Sequence, residues 1–404
     1  MKTTEAVQNQ YAACPYPPLE TGARPEILPP ASSWAFAHYY CHHRQSQNEK
    51  PLILDAGCGT GFSTLKLAQA NPQAQIVAVD ISGPSLALAQ QRFVQAGLDP
   101  AQIHWHQADL QNLNLNQSFD FIYCTGVLHH LPDPAAALQH LRVQLKTEGL
   151  AAIMLYNPHA RTEIRAIQQV LHRLWQTPDD LQEGLMLCRT FFQGLPSENP
   201  LKQQYLRDRK LIQQELGLAF ADSEAFLVDT YLQVCEQEWE LAHWWQIFED
   251  QDWKILRFLD EESWKASVYL PGLPDYWLNL GEKERFCLID LLRRQNNYLF
   301  FAGAANTASA RQPLALKTND IPRPSPLVQA IATETDTLRL ENRLGQALEL
   351  APAAQLLWTE MDGKKSWGTL FQACLAQNPA EPQSGLRGLE HCAEQILASY
   401  FAWI

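Results

Sequence analysis

A loop with glycine at every second position is the stretch of this sequence with the clearest chemistry. Residues 53–61 read Ile-Leu-Asp-Ala-Gly-Cys-Gly-Thr-Gly, a short apolar run followed by the loop. Glycine lets the backbone approach a bound ligand closely, since no Cβ intervenes, and the following helix turns its free amides toward that ligand. The spacing differs from the Gly-x-Gly-x-x-Gly of dinucleotide-binding proteins. We therefore expect Gly57, Gly59 and Gly61 to line a site for a nucleoside that bears an amino acid. Asp55 either orders the loop amides and attracts an ammonium group or only holds the loop.

Asp80 and Asp109 follow the next two apolar runs, where such a nucleoside would lie. In a doubly wound sheet Asp80 comes beside the glycine loop, and a carboxylate there can accept hydrogen bonds from both hydroxyls of a ribose. The alternative is an acidic cap on the following helix, which Ser82 can supply equally well. Asp109 can receive an exocyclic amine while Ala108 and Leu110 pack against an adenine ring, or it can simply form a turn.

The elements around these residues alternate between short apolar runs and helical patterns. The predicted order is strand 52–55, helix 62–70, strand 76–80, helix 85–96, strand 103–106, strand 119–124, helix 134–145 and strand 150–156. Such alternation is typical of a mostly parallel sheet with helices on both faces. Ligands of these open sheets bind beyond the carboxyl ends of the strands, which is where the loop and the aspartates fall. The sequence therefore predicts an α/β, doubly wound fold.

The rest of the chain predicts a helical insertion and a small further domain. Residues 161–248 are mainly helical, and strands are predicted at 253–259 and 298–303 with a helix at 282–294 between them. Residues 306–326 are rich in Ala, Ser, Thr and Pro and indicate a linker, beyond which a strand at 337–340 and a helix at 352–361 are predicted. The predicted division is an N-terminal lid or helix segment (1–50), a main domain (51–305, with an insertion at about 160–250), the linker (306–326) and a small C-terminal α+β domain (327–404).

Composition argues against several other classes of protein. The 404 residues carry 31 Lys+Arg against 44 Asp+Glu, a net charge of -13, which disfavours nucleic acid as a partner. The nine cysteines are odd in number and scattered, so neither disulfides nor a thiolate metal site is predicted. No run approaches the roughly eighteen apolar residues of a membrane span, and residues 1–14 lack the apolar core of a signal peptide. We expect a cytoplasmic protein.

A further motif follows the fourth predicted strand, where residues 119–131 read FDFIYCTGVLHHL. Together with DAGCGTG (55–61), IVAVD (76–80), QADL (107–110) and GLAAIMLYN (149–157), it resembles the class I S-adenosylmethionine-dependent methyltransferases. The resemblance implies a seven-stranded Rossmann-like sheet whose last strand, 298–303, runs antiparallel. It also implies transfer of a methyl group from S-adenosylmethionine. The residues that it implies at the donor site are Asp55, Gly57, Cys58, Gly59, Gly61, Asp80, Ile81, Ala108, Asp109, Leu110 and Thr125.

The candidates for chemistry at the methyl acceptor come from three parts of the sequence. Methyl transfer needs mainly proximity and orientation, and a base is required only if the nucleophile arrives protonated. His129 and His130 are the titratable candidates, together with Tyr156, although in this family such a histidine pair often only shapes the site. Tyr11 and Tyr16 lie in a segment that can close over the donor as a lid or form an ordinary packed tail. The other candidate acceptor-binding residues are Asn157, Asp229, Tyr231 and Glu236.

The acceptor itself is predicted from the domain layout. A catalytic sheet, a helical insertion and a C-terminal domain that is winged-helix-like are similar to the arrangement of bacterial protein methyltransferases. That likeness favours a protein side-chain nitrogen, a lysine amine or an asparagine amide. The alternatives are a hydrophobic small molecule, such as a quinone or another secondary metabolite, and a non-catalytic protein that only binds the donor.

Overall fold

The computed structural model describes residues 3–18, 30–43, 46, 48–177, 180–216, 223–259, 261–273, 277, 279–294, 297–307, 316–324, 328–332, 338–342, 347–350, 352–377, 382–398 and 402–403. The chain forms two compact units. The first comprises Met1–Pro25, Lys50–Ala68 and Pro72–Thr307, and the second comprises Glu26–Glu49, Gln69–Asn71 and Ala308–Ile404.

A seven-stranded sheet forms the centre of the first unit. Its strands are β1 (Leu52–Ala56), β2 (Gln75–Asp80), β3 (Ile103–Gln107), β4 (Phe119–Thr125), β5 (Leu145–Leu155), β6 (Trp253–Phe258) and β7 (Tyr298–Ala304). Their order across the sheet is β3-β2-β1-β4-β5-β7-β6. Strands β1 to β5 are parallel, and β7 pairs antiparallel with both β5 and β6. The predicted fold, a mostly parallel seven-stranded sheet with an antiparallel last strand, is confirmed.

Helices cover the sheet and build the rest of the chain. In the described residues they are α1 (Thr4–Ala13), α2 (Trp34–His42), α3 (Phe62–Ala70), α4 (Gly83–Gln95), α5 (Pro134–Val143), α6 (Thr162–Leu174), α7 (Leu181–Gly194), α8 (Pro200–Leu216), α9 (Glu224–Tyr231), α10 (Leu241–Asp250), α11 (Ala266–Tyr269), α12 (Glu282–Arg293), α13 (Pro352–Thr359), α14 (Trp367–Gln377) and α15 (Pro382–Ala398). Strand β2 is buried on both faces, as its unbroken run of apolar residues requires in a parallel sheet.

Several predicted boundaries were wrong. Helix α4 begins at Gly83, earlier than predicted, because the Ser82 hydroxyl accepts a hydrogen bond from the Ser85 amide at 3.2 Å and caps it. Strand β5 begins at Leu145 instead of 150, and α5 ends at Val143. The reason is that Leu145 already pairs with Phe119 of β4, ahead of an irregularity in that pairing.

The predicted insertion between β5 and β6 is helical and has its own apolar core. Helices α6, α7 and α9 contribute fully buried side chains such as Ile167, Leu185 and Phe226 to it. In contrast, Trp244 of α10 packs into the core of the main sheet, as does the neighbouring Trp245. These two tryptophans at helical spacing are therefore core residues.

The second unit combines α2 with short strands and the last three helices. Strands β9 (Val328–Ala332), β10 (Leu338–Asn342) and β11 (Ala347–Leu350) form an antiparallel sheet, and β8 (Arg323–Pro324) pairs with β12 (Ala402–Trp403). Parts of the predicted linker, residues 308–315 and 325–326, and residue 337 of a predicted strand lie outside the described residues. The predicted domain limits and the winged-helix-like character stay predictions. Among the residues that the structure describes, no helix is long and apolar enough to cross a membrane.

Candidate functional site

A cavity of about 390 Å³ opens beyond the carboxyl ends of the parallel strands in the first unit. Its wall is formed by residues that follow β1, β2, β3 and β4, by Tyr156 directly after β5, and by side chains of α1 and α9. Its volume lies within the range of small-molecule sites, about 300–1,000 Å³. The position is the one at which open α/β sheets bind ligands.

The glycine loop supplies the closest backbone to this cavity. Gly57 (φ +82°) and Gly59 (φ +52°) both line it in the left-handed region of backbone conformation, which favours glycine. A Cβ on Gly57 would lie 2.4 Å from Cγ2 of Val127. Cys58 also lines the cavity, and its amide donates to the carbonyl of Val79 at 2.9 Å. Gly61 (φ +78°) does not line it, because this residue faces Ala89 of α4.

Asp55 is buried behind the loop and does not line the cavity. Its Oδ2 accepts hydrogen bonds from the hydroxyls of Ser63 at 2.8 Å and Thr64 at 2.7 Å. Burial raises the pKa of Asp55 to about 7, and the charge of Asp80 adds to the shift. Of the two roles considered for Asp55, these contacts belong to the one that holds the loop and the start of α3.

Asp80 lines the cavity and also organises the loop beside it. Its Oδ2 accepts from the Gly59 amide at 2.8 Å, and its Oδ1 accepts from the Ser82 amide at 2.9 Å. Burial raises the pKa of Asp80, while these amide donors oppose that shift. Each carboxylate oxygen keeps a second lone pair, so the side chain can still accept hydrogen bonds from a ribose.

Asp109 forms the turn that was one of its two predicted roles, and its side chain lies at the cavity. Its Oδ1 accepts from the Gln111 amide at 2.9 Å and caps a short 3₁₀ turn, and the side chain also lines the cavity. Ala108 and Leu110, the two neighbours that were expected to pack on an adenine ring, line the cavity as well. The remaining residues predicted at the donor site that line it are Ile81 and Thr125.

Helix α1 closes one side of the cavity. Its Gln8 side chain donates to the carbonyl of Ile81 at 3.3 Å, and the Ser82 hydroxyl donates to the carbonyl of Tyr11 at 3.2 Å. Tyr16, which follows the helix, lines the cavity too, and its carbonyl accepts from the Thr60 amide at 3.3 Å. The N-terminal segment therefore packs over the predicted donor site rather than beside it.

Buried polar side chains gather at one end of the cavity, where α1 meets the insertion. The Tyr11 hydroxyl donates to Oδ1 of Asp229 at 3.2 Å and accepts from Nε2 of Gln233 at 2.9 Å. Burial raises the pKa of Tyr11 well above its usual value, so its hydroxyl remains a donor. His130 lines the same end, and its Nδ1 donates to the carbonyl of Cys235 at 3.0 Å. That bond leaves Nε2 of a neutral His130 as an acceptor.

His129 occupies a different environment from its neighbour. It is fully buried, does not line the cavity, and has no hydrogen-bond partner for either ring nitrogen among the described residues. Burial lowers its pKa well below the usual value, and the charges of His130 and Arg161 add to that. Its ring stacks on Tyr156 with centroids 3.8 Å apart. Of the two candidate histidines, only His130 reaches the cavity.

Tyr156 lines the cavity, and its ring packs between the His129 ring and the Arg161 guanidinium group. The Arg161 guanidinium carbon lies 3.8 Å from the centroid of the Tyr156 ring. The centroid of the His129 ring lies 3.8 Å from the same point. Two groups this close to one centroid must lie on opposite faces of the ring. Arg161 in turn donates from Nε and Nη2 to the two carboxylate oxygens of Glu236, each at 2.9 Å. Burial opposes ionisation of Glu236, yet Arg161 lowers the pKa of Glu236 below its ordinary value.

Three of the predicted acceptor-binding residues do not line the cavity. Glu236 is engaged by Arg161, and Nδ2 of Asn157 donates to Oδ1 of Asp290 at 3.1 Å. The Tyr231 hydroxyl donates to Oδ2 of Asp208 at 2.7 Å, inside the insertion. Tyr11, Tyr16 and Asp229 are the members of that predicted set that the structure brings together at the cavity.

Comparisons with known proteins agree with this architecture. A family model described as Methyltransferase domain matches residues 53–149. An uncharacterised protein of Synechococcus sp. is 34% identical over 310 residues, which cover 74% of this chain and 72% of that protein. The structure of PKMT2 from Rickettsia typhi in complex with AdoHcy superposes with a TM-score of 0.62 at 12% identity, over 94% of this chain and 76% of that one. The chain belongs to the class I S-adenosylmethionine-dependent methyltransferases.

Curated methyltransferases with named acceptors match a shorter part of the chain. The ubiquinone biosynthesis O-methyltransferase of Haemophilus ducreyi is 32% identical over 111 residues, 26% of this chain and 45% of that protein. Trans-aconitate 2-methyltransferase of Azoarcus sp. is 36% identical over 108 residues, 27% of this chain and 40% of that protein. The chain thus spans less than half the length of these two relatives.

The cavity of this methyltransferase fits its methyl donor. Bound S-adenosylmethionine supplies a methyl group that its positively charged sulfur already activates. The left-handed glycines leave room where a Cβ at Gly57 or Gly59 would collide with Val127 or with the Tyr16 carbonyl. We expect Asp80 to hold the ribose and Asp109 to face the adenine. Because the protein is an enzyme, a purely donor-binding role is set aside.

Several cavity residues of the methyltransferase were absent from the sequence prediction. Thr4 and Val7 reach the cavity only because α1 folds back over the sheet, and Met154 lies on β5. Arg161 and Gln233 orient Tyr156 and Tyr11 from the insertion. Apart from the position of Arg161 shortly after the fifth strand, the sequence carries no signal for these residues.

Proposed function

We propose that this methyltransferase transfers the methyl group to the primary amine of a lysine side chain in a protein. The observation that carries the proposal is the carboxylate of Asp229, which is buried and lines the cavity. Its only hydrogen-bond donor among the described residues is the uncharged hydroxyl of Tyr11, and no described Lys, Arg or His forms an ion pair with it. A buried carboxylate without a direct ion-pair partner is costly even with the more distant charges of His130 and Arg161 nearby, so a bound ammonium group would stabilise it.

The nearest arginine does not meet this need. Arg161 is within electrostatic reach of Asp229, but it is paired with both carboxylate oxygens of Glu236 and stacked on Tyr156. Its positive charge is therefore largely compensated. Asp229 remains the acidic group at this end of the cavity that lacks a bidentate cation partner in the described structure.

Aromatic rings of the cavity wall also suit a cationic acceptor. Tyr11, Tyr16 and Tyr123 line the cavity, and aromatic faces attract ammonium groups. The cavity of about 390 Å³ must also contain the donor, so the part of the acceptor that carries the reacting atom must be narrow. A lysine side chain, four methylene groups that end in an amine, meets both conditions.

The hydroxyl of a hydrophobic small molecule is the second candidate acceptor. It is favoured by the match to the ubiquinone biosynthesis O-methyltransferase of Haemophilus ducreyi, which covers 45% of that protein. Nε2 of His130, which has no hydrogen-bond partner in the described part of the chain, could accept the proton of such a hydroxyl.

Labelled donor distinguishes these acceptors. The enzyme is incubated with methyl-labelled S-adenosylmethionine and native extract of the cells from which the gene comes, with and without excess S-adenosylhomocysteine. We expect label in protein that protease converts to peptides and that strong acid hydrolysis converts to methyl-lysine. Methylamine released by that hydrolysis would indicate an asparagine amide instead. Label that passes into organic solvent before proteolysis would contradict a protein acceptor.

A further inference from the structure

We propose that Asp229 is the catalytic base that takes a proton from the acceptor ammonium, and that Tyr11 is the residue that positions its carboxylate. This inference rests on the proposed function, because only a protonated nitrogen acceptor needs such a base. The base then lies in the insertion and the residue that positions it lies in α1, whereas the sequence analysis named the histidines after β4 as candidate bases.

The two oxygens of the Asp229 carboxylate have different surroundings. Oδ1 accepts the hydrogen bond of the Tyr11 hydroxyl at 3.2 Å. Oδ2 receives no hydrogen bond from any residue that the structure describes, and the side chain lines the cavity. Only 6% of the residue is exposed, so the accessible part of this carboxylate belongs to the cavity. Oδ2 is thus available to a ligand.

A directed chain of hydrogen bonds fixes the orientation of this carboxylate. Nε2 of Gln233 is only a donor, and it lies 2.9 Å from the Tyr11 hydroxyl oxygen. The single proton of Tyr11 must then point to Asp229, which leaves Oδ2 as the side of the carboxylate that faces the acceptor. Tyr11 does not have to lose its proton in this scheme, in agreement with a pKa that burial raises well above its usual value.

The charged groups around Asp229 set its basicity. Burial raises the pKa of Asp229, while His130 and Arg161 lower it and the charge of Glu236 raises it further. Cys14 and Tyr156 also lie within electrostatic reach. A raised pKa makes a carboxylate a stronger base and brings it closer to the operating pH, the condition for efficient proton transfer.

The proposed step balances as follows. A proton leaves the ammonium nitrogen for Oδ2 of Asp229, and the nitrogen keeps the lone pair. That lone pair forms the new nitrogen–carbon bond while the carbon–sulfur bond of the donor breaks, and the pair of electrons in the broken bond stays on sulfur. The products are the methylated ammonium and neutral S-adenosylhomocysteine, and Asp229 then releases its proton to solvent.

The pH dependence of Asp229→Asn tests the proposal. At about pH 7 we expect kcat/KM for a labelled lysine-containing acceptor to fall about 100-fold, the usual contribution of a base. The loss should shrink by about tenfold per pH unit as the acceptor amine, with a pKa of about 10.4, loses its own proton in solution. A role of Asp229 in structure alone would lower kcat/KM equally at all pH values, and that result would overturn the proposal.

Tyr11→Phe provides a second variant that removes one oxygen and keeps the ring. Since the hydroxyl stabilises the ionised carboxylate, its loss should raise the pKa of Asp229. The acid limb of kcat/KM should therefore move to higher pH, with little change on the alkaline side. An unchanged acid limb would exclude the positioning role of Tyr11.

A third variant, His130→Gln, compares the two possible bases. Loss of the acid limb in His130→Gln but not in Asp229→Asn would assign the base to His130 and overturn the proposal.

A matched control comes from the insertion itself. Asp208 is a half-buried carboxylate that accepts from a tyrosine hydroxyl, that of Tyr231, at 2.7 Å, but it does not line the cavity. Asp208→Asn should leave the pH profile unchanged.

Binding of S-adenosylhomocysteine, measured by calorimetry, should be within about twofold of wild type in Asp229→Asn, which shows that the variant is folded. If that binding is lost, Tyr11→Phe decides the outcome. If wild-type enzyme labels no protein amine at all, the proposed function fails, not the choice of base.

Discussion

Asp55 lies beside the glycine loop, and its side chain holds the start of helix α3, which follows the loop. Both hydroxyls that follow the loop, those of Ser63 and Thr64, donate to its Oδ2. Burial raises the pKa of this carboxyl to about 7, whereas an aspartate in an unfolded chain has a pKa of about 3.9. The folded chain therefore binds a proton at Asp55 more tightly than the unfolded chain does.

The stability of Asp55→Asn should depend on pH differently from that of the wild type. A carboxyl with a raised folded pKa contributes stability that is present below its unfolded pKa and is lost as the pH rises through its folded pKa. Between about pH 4 and pH 8 the difference in free energy of unfolding should move in favour of the variant, by up to about 4 kcal/mol. Urea unfolding at both pH values measures this change. A difference that does not vary with pH would contradict the raised pKa of Asp55.

At the scale of elements, α1 and the segment after it form the roof of the donor site. The segment is tied down from α4, where Nη2 of Arg92 donates to the carbonyls of Pro17 at 3.3 Å and Pro18 at 2.9 Å. Nε of the same buried side chain donates to the Thr60 carbonyl at 2.8 Å. One arginine therefore joins the roof to the glycine loop.

Replacement of that arginine should loosen the roof. Arg92→Met keeps a long side chain but leaves buried carbonyls without their donor, and we expect a loss of about 2–4 kcal/mol in the free energy of unfolding. We also expect faster dissociation of S-adenosylhomocysteine in stopped-flow experiments. Arg142→Met is the matched control, because Arg142 pairs with a mostly exposed Asp252 and should contribute less than about 1 kcal/mol. Equal effects of the two substitutions would show that Arg92 has no special role in the roof.

At the scale of the whole molecule, every described residue that lines the cavity belongs to the first unit. The strands and helices after Ala308 belong to the second unit, which has its own apolar core around Trp367 and Phe371. We therefore expect donor binding to depend on the first unit.

A chain that ends after Thr307 should therefore bind S-adenosylhomocysteine as tightly as the full chain. The cut falls beyond β7, so the seven-stranded sheet remains intact. Calorimetric titration of both proteins measures the two affinities. Affinity that falls more than about tenfold, or about 1.4 kcal/mol, would mean that the first unit requires the C-terminal region to fold or to bind.

The central sheet and the edge at which the cavity lies were predictable because their signals are local. Short apolar runs that end in glycine or aspartate mark buried parallel strands, and parallel strands bring their carboxyl ends to one edge. The start of β5 was predicted wrongly because the pairing of Leu145 with Phe119 is a contact between distant residues. Local patterns carry no information on where such a pairing begins.

The sequence by itself determined the fold and the family, and it predicted the place of the methyl donor, since each depends on residues near the ends of successive strands. Only the tertiary structure decided which residues face the acceptor. His129 and His130 are adjacent in sequence, yet one is buried against Tyr156 and the other lines the cavity. Tyr11 and Asp229 are 218 residues apart and meet through a single hydrogen bond. The acceptor end forms where α1 and the helical insertion pack against the sheet. The spacing of residues along the chain does not predict contacts between such distant segments.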